Sequence, residues 1–113
     1  MKIENRVFIT NFGGHNFNPA KQYGTIVPLT RGNINPVQTD RVLVDMLDVL
    51  KDSTENDYLL LSGHPVTIII ATSIMFTFHD KVKFLVWNKY NTEYVVREVS
   101  KDQIMESYKI IGG

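Results

Sequence analysis

Two rhythms of apolar and polar positions run along the 113 residues of this chain, and the switches between them mark its elements. Short apolar runs bounded by turn residues read as strands, and a repeat near 3.6 residues reads as helix. Arg6 to Phe12 is a β-rich run stopped by Gly13-Gly14. Thr25 to Leu29 is a second run, in which Pro28 cannot donate to a ladder and so predicts a sheet edge or a brief strand. Between them, residues 13 to 23 predict a loop, long for a small domain and therefore a place to look for function.

Asn35-Pro36 predicts a helix start, with Asn35 as the N-cap and Pro36 at the first helical position. The helix is expected to run to about Lys51. Leu43, Met46, Leu47 and Leu50 fall on one stripe, while Asp40, Arg41, Asp45, Asp48 and Lys51 serve the solvated side. Tyr58 to Leu61 is apolar throughout, as strands buried in parallel sheets are.

The stretch from Pro65 to Phe78 carries β-branched residues, but about fourteen unbroken residues is long for a strand. It also joins two apolar strands that need a crossover if they are parallel, so it predicts a helix. Being apolar nearly all round, that helix is expected to be buried on two sides, by the rest of the domain or by a partner subunit. Val82 to Trp87 and Tyr94 to Val99 predict a hairpin around Lys89-Tyr90-Asn91-Thr92. Glu93, Arg97 and Glu98 suit an edge strand, and residues 101 to 109 predict a last helix. The order β-β-α-β-α-β-β predicts a single α/β domain over residues 1–113. Its architecture is a layered sandwich of two or three layers, with a mostly parallel central sheet and an antiparallel C-terminal edge hairpin.

Composition narrows the function classes. Twelve basic and twelve acidic residues give a formal net charge of zero, which excludes bulk nucleic-acid binding by a broad positive field but leaves local phosphate recognition open. The absence of cysteine excludes thiol catalysis, zinc–thiolate sites and disulfides, and fits a reducing compartment. Met1 to Arg6 lacks the apolar core of a leader, and Val66 to Phe78 is interrupted by Thr67, Thr72, Ser73 and Thr77. That run is also shorter than the roughly 20 residues a membrane-spanning helix needs. The expected setting is cytoplasmic, without membrane association.

The candidate chemistry lies in the loops after the strands. In Ser62-Gly63-His64-Pro65, Pro65 at the first helical position leaves His64 as cap. The Gly63, His64 and Val66 amides with the Ser62 hydroxyl then offer a cradle for a phosphate or carboxylate. A plain strand-to-helix turn accounts for the same residues, which are far less specific than a full phosphate-loop signature. Gly13-Gly14-His15 repeats the glycine-then-histidine pattern after another strand. If the first and third strands are parallel, both loops share the edge where open α/β sheets bind ligands. Arg31 follows the second strand and is the best single cation for gripping an anion, although a lone surface arginine in a turn is the commoner case.

His15 and His64 could perform acid–base chemistry on a phosphodiester, but no carboxylate stands near either to orient it. His64 and His79 bracket a helix and are roughly 22 Å apart at 1.5 Å per residue, so they cannot share a metal. Neither a metal nor a cofactor is expected. Trp87, Tyr90 and Tyr94 could stack on a base or form an interaction patch, and cross-strand packing serves them equally well. Ile111-Gly112-Gly113 is similar to the tail of ubiquitin-like modifiers, but the long apolar helix has no place in such a core.

Phe8 to His15, Tyr58 to Pro65 and Phe84 to Asn88 resemble segments of small proteins encoded by tailed bacteriophages, across most of residues 5 to 99. Those proteins carry no assigned activity. The resemblance therefore implies a phage setting and a host cytoplasm, and it transfers no catalytic residue. The expectation is a small phage-type accessory protein binding a nucleotide or other phosphate-bearing ligand through Gly13, Gly14, His15, Arg31, Ser62, Gly63 and His64. The alternatives are a non-enzymatic module that inhibits or assists a host protein, and a phosphodiesterase-like enzyme using His15 and His64. The apolar helix suggests a homo-oligomer.

Overall fold

Val7, Phe8 and Ile9 point alternately to the two faces of a sheet, and both faces are covered, which is why the run is apolar without a break. In the computed structural model, which describes residues 5–112, these residues lie in strand β1, Arg6–Ile9. β2 spans Thr25–Pro28, β3 Tyr58–Leu60, β4 Lys81–Asn88 and β5 Glu93–Ser100. The helices are α1, Thr39–Leu50, α2, Pro65–Phe78, and α3, Lys101–Ile111. Met1 to Glu4 and Gly113, which bear on the leader and on the tail, lie outside the described residues.

One five-stranded sheet has the order β2-β1-β3-β4-β5. β1 is parallel to both β2 and β3, β3 is parallel to β4, and β4 pairs antiparallel with β5 through the hairpin. This is the expected α/β architecture, with the Pro28 strand and the charged last strand at the two edges. α1 and α2 cover one face, over Phe8, Leu59, Val82 and Phe84. The opposite face, with Val7, Ile9, Leu60 and Leu85, is covered by Phe17 and Ala20. The chain moves outward from β1 to β2 and then back across β1 to β3. A constant crossover hand requires those two connections to lie on opposite faces, as they do.

The loop expected over residues 13 to 23 folds in part, as a 3-10 helix over Asn18–Tyr23 with Pro19 near its start and Ala20 buried. α1 begins about one turn later than Asn35-Pro36 implied. Asn35 Oδ1 accepts from the Val37 amide at 3.1 Å and the Asn35 carbonyl accepts from the Gln38 amide at 2.9 Å, so Asn35 builds a turn that leads into the helix. The helical stripe is also rotated. Val42, Met46 and Leu50 are buried, whereas Leu43 and Leu47 are 40% and 37% exposed. Burying Met46 and Leu50 completely contributes about 1.5–3 kcal/mol each.

α2 is a helix with Pro65 in its first turn and His64 as N-cap, as its sequence implied. Its Thr67, Ala71, Ile74 and Met75 are buried, but Ile69 and Phe78 face solvent, so the domain covers only part of its surface. At its far end His79 Nε2 lies 2.7 Å from Ser53 Oγ, a contact that anchors the helix. α3 starts in a reciprocal cap, Ser100 accepting from the Gln103 amide and Gln103 accepting from the Ser100 amide, and buries none of its residues.

Opposite polar systems hold the two ends of the sheet. At the N-terminal end, the buried Asp57 carboxylate accepts from the Arg6 amide and guanidinium at 2.9 Å each, and from the Thr54 amide at 2.8 Å. At the C-terminal end, Thr10 Oγ1 donates to the Ser62 carbonyl at 2.8 Å, and Gly63 lies so close that a Cβ there would collide with Thr10 Oγ1. Gly63 also holds φ +107°, in the region that disfavours side chains. Gly63→Ala is expected to cost about 1–3 kcal/mol and lower Tm by roughly 4 °C per kcal/mol. In a denaturation cycle, Thr10→Ala should relieve part of that cost, making the double variant more stable than the two single effects added together. Strict additivity would contradict the contact.

Candidate functional site

Parallel pairing of β1 with both β2 and β3 brings the loops that follow these strands to one edge. The connections from β1 and β3 leave in opposite directions, so the β1/β3 junction is the switch point at which open α/β sheets form a crevice. Side chains tie the loops together there. Thr30 Oγ1 and the Thr30 amide both donate to the Thr10 carbonyl, at 2.5 and 3.1 Å. Asn11 Nδ2 reaches Thr30 Oγ1 and the Gly32 carbonyl at 3.0 Å each, while Asn11 Oδ1 accepts from the Gly13 amide at 3.0 Å. Thr10 and Thr30 are buried, so the bonds between them are shielded from competition with water, whereas those of Asn11 to Gly32 and Gly13 are exposed.

The seven candidate residues share this edge but not one cavity. Gly13 and Gly14, at φ +51° and +77°, border an open depression with Arg31, Thr30 and Gly32. His15 and Ser62 instead line a cleft of about 310 Å³ with Phe17, Leu61, Trp87 and Tyr94. Gly63 and His64 line neither. Gly63 is committed to its packing against Thr10.

The proposed Ser-Gly-His-Pro cradle is only partly available. His64 Nδ1 accepts from the Val66 amide at 3.1 Å, and the His64 carbonyl accepts from the Thr67 amide at 3.0 Å and the Thr67 hydroxyl at 2.7 Å. The Val66 amide is thus occupied by the cap itself, and of the cradle's groups the Gly63 and His64 amides and the Ser62 hydroxyl lack a partner among the described residues. His15 and His64 do not line a common cavity, and His64 Nδ1, as an acceptor, is unprotonated in this geometry. Among the described residues no group of three His, Cys, Asp or Glu side chains could hold a metal ion. None of the described helices is long and apolar enough to cross a membrane.

The sequence reading missed the partner of Arg31. A pocket of about 150 Å³ between the β2–α1 connection and the start of α1 is lined by both Arg31 and Arg41, with Asn33, Asn35, Gln38 and Asp45 around them. Neither the Arg31 nor the Arg41 side chain makes a hydrogen bond or ion pair with another described residue, the Asp45 carboxylate included. The other two arginines are engaged, Arg6 by Asp57 and Arg97 by the Val96 carbonyl. The available signal was the tilt of helical side chains toward the N-terminus, which turns a first-turn residue such as Arg41 back toward the preceding loop.

Trp87 was a candidate stacking residue, and the structure places it at the 310 Å³ cleft, edge-on to Tyr94 with ring centroids 4.9 Å apart at 68°. Burial pushes the Tyr94 phenol above its ordinary 10.0, which keeps it a neutral hydroxyl. Tyr90, 86% exposed on the hairpin turn, does not line that cleft but borders a separate groove that Trp87, Lys89 and Arg97 also line.

In comparisons with known proteins, a family model described as phage Pam3 gp32-like protein matches residues 5–101. No curated protein and no solved structure matches the chain.

Proposed function

The chain belongs to the phage Pam3 gp32-like proteins, and from that premise we propose that this small phage accessory protein binds a phosphate-bearing ligand at the C-terminal edge of its sheet. The observation that carries the reading is the pair Arg31 and Arg41, lining one pocket with no protein partner among the described residues. Two guanidiniums left unpaired at the mouth of a parallel sheet match the planar fork geometry that recognises phosphate oxygens. Asn33, Asn35 and Gln38 add amide groups around them, and Asp45 offsets part of the positive charge. The ligand therefore needs an oxyanion strong enough to compete with that carboxylate. Gly13 and Gly14 in the adjoining depression leave room for the rest of the molecule. Relative to the sequence reading, the grip moves from the Ser-Gly-His-Pro turn to the connection after β2, on the same edge.

Thermal unfolding against inorganic phosphate, pyrophosphate and a nucleotide panel tests this. A ligand at a hundred times its Kd adds about 2.7 kcal/mol, a shift of very roughly 10 °C in a domain of this size. Arg31→Ala and Arg41→Ala should each weaken binding at least tenfold, as expected for loss of a charge-assisted hydrogen bond. Arg97→Ala should leave it unchanged, and affinity should fall as salt is raised. A flat panel, or shifts that survive both substitutions, contradicts the reading.

α3 supports a second reading, a module that engages a host protein. Ile104, Met105 and Tyr108 are each more than half exposed on a helix that buries nothing, and such a face is typical of interaction surfaces. Ile104→Asp with Tyr108→Asp should leave stability within about 0.5 kcal/mol, because both positions are exposed. In a pull-down from host extract, that variant should lose any partner the native chain retains. Retention of the partner contradicts a role for this face.

A further inference from the structure

The cleft lined by His15, Phe17, Ser62, Trp87 and Tyr94 is built differently from the arginine pocket. It lies between the loop after β1, the residues just after β3 and the β4/β5 hairpin. No Lys, Arg, Asp or Glu lines it, so it lacks the guanidinium pair of the other pocket. Its walls are aromatic. Phe17 is buried, while Trp87 keeps 43% of its surface exposed and its orientation is fixed by the edge contact with Tyr94. A large ring held in place and left uncovered on one side is a stacking platform.

The polar groups around the rings are available too. Tyr94 is only 9% exposed, and its hydroxyl has no hydrogen-bond partner among the described residues. That hydroxyl still touches solvent, since no fully buried side-chain N or O atom lacks a partner. Buried tyrosines normally satisfy the hydroxyl with a protein group, so an unpartnered one beside a cleft is a donor reserved for what enters. The Ser62 hydroxyl is free in the same sense, since only the Ser62 backbone is engaged, its amide by the Leu60 carbonyl and its carbonyl by Thr10. Asn16 uses its Oδ1 for the Asn18 amide and keeps its Nδ2 hydrogens for another acceptor. The volume of about 310 Å³ falls at the small end of ligand pockets, which run from roughly 300 to 1,000 Å³.

We propose that this cleft seats a flat heteroaromatic ring of the nucleobase class, stacked on Trp87 and hydrogen-bonded by Tyr94, Ser62 and Asn16. The site is separate from the arginine pocket and does not depend on it. A nucleoside without phosphate probes the cleft alone, and inorganic phosphate probes the arginines alone, so the two claims fail independently.

Trp87 is the only tryptophan in the chain, so its fluorescence reports directly on the cleft. Titration of the full chain with adenosine and guanosine should quench it saturably, whereas ribose should not. Tyr94→Phe and Ser62→Ala should each weaken binding about fivefold to tenfold, as expected for loss of one hydrogen bond, without moving Tm by more than a degree or two. Arg31→Ala should leave nucleoside binding unchanged. Quenching that is absent, that never saturates or that ribose reproduces overturns the proposal. Affinity unaltered in both Tyr94→Phe and Ser62→Ala does the same.

Discussion

The hydroxyls of Thr10 and Thr30 and the amide of Asn11 hold the C-terminal ends of β3, β1 and β2 in one hydrogen-bonded row. Thr10 bonds to the Ser62 carbonyl on one side and receives both donors of Thr30 on the other, while Asn11 closes the row to Gly32. Everything of functional interest hangs from that row. It fixes where the loop after β3 turns into α2, where the glycines after β1 stand, and how Arg31 leaves β2. Because Thr10 and Thr30 are buried, the centre of the row is shielded from water.

Along the edge lie two chemistries. On the side of α1, the arginine pair faces a small polar pocket. On the side of the 3-10 helix, His15, Trp87 and Tyr94 surround a mainly aromatic cleft. A charged end and a flat aromatic end are the two parts of a nucleotide, and the sheet presents a chemically suitable neighbourhood for each along the same edge. At the opposite edge of the sheet, Asp57, Arg6 and Thr54 form a cluster whose groups satisfy one another.

Much of the frame was legible in the sequence because its signals are local. Pro65 after a small, polar turn could start a helix at one position only, and His64 caps it accordingly. Pro28 belonged on an edge strand for want of an N–H, and β2 is one. Asn35-Pro36 was ambiguous in principle, since an asparagine side chain that can cap a helix can equally bend a turn, and here it bends the turn. The stripe of α1 was misphased because Leu43 and Leu47 compete with Val42 and Val49 for the buried side, and tertiary packing decides between them. Contacts across distant residues were not legible at all. The meeting of Arg31 with Arg41 depends on the turn before α1, and the Thr10–Ser62 bond depends on β1 lying between β2 and β3. The family resemblance supplied the phage setting, which no residue spacing could.

The central claim is that the C-terminal edge of the sheet is a ligand edge, and amide and indole chemical-shift mapping of the labelled protein with a nucleoside monophosphate tests it most directly. The account predicts saturable shifts at residues 13–17, 31–33 and 62–63 and at the Trp87 indole, with Thr54, Asp57 and α3 undisturbed. An unchanged spectrum, or shifts confined to α3, would contradict it.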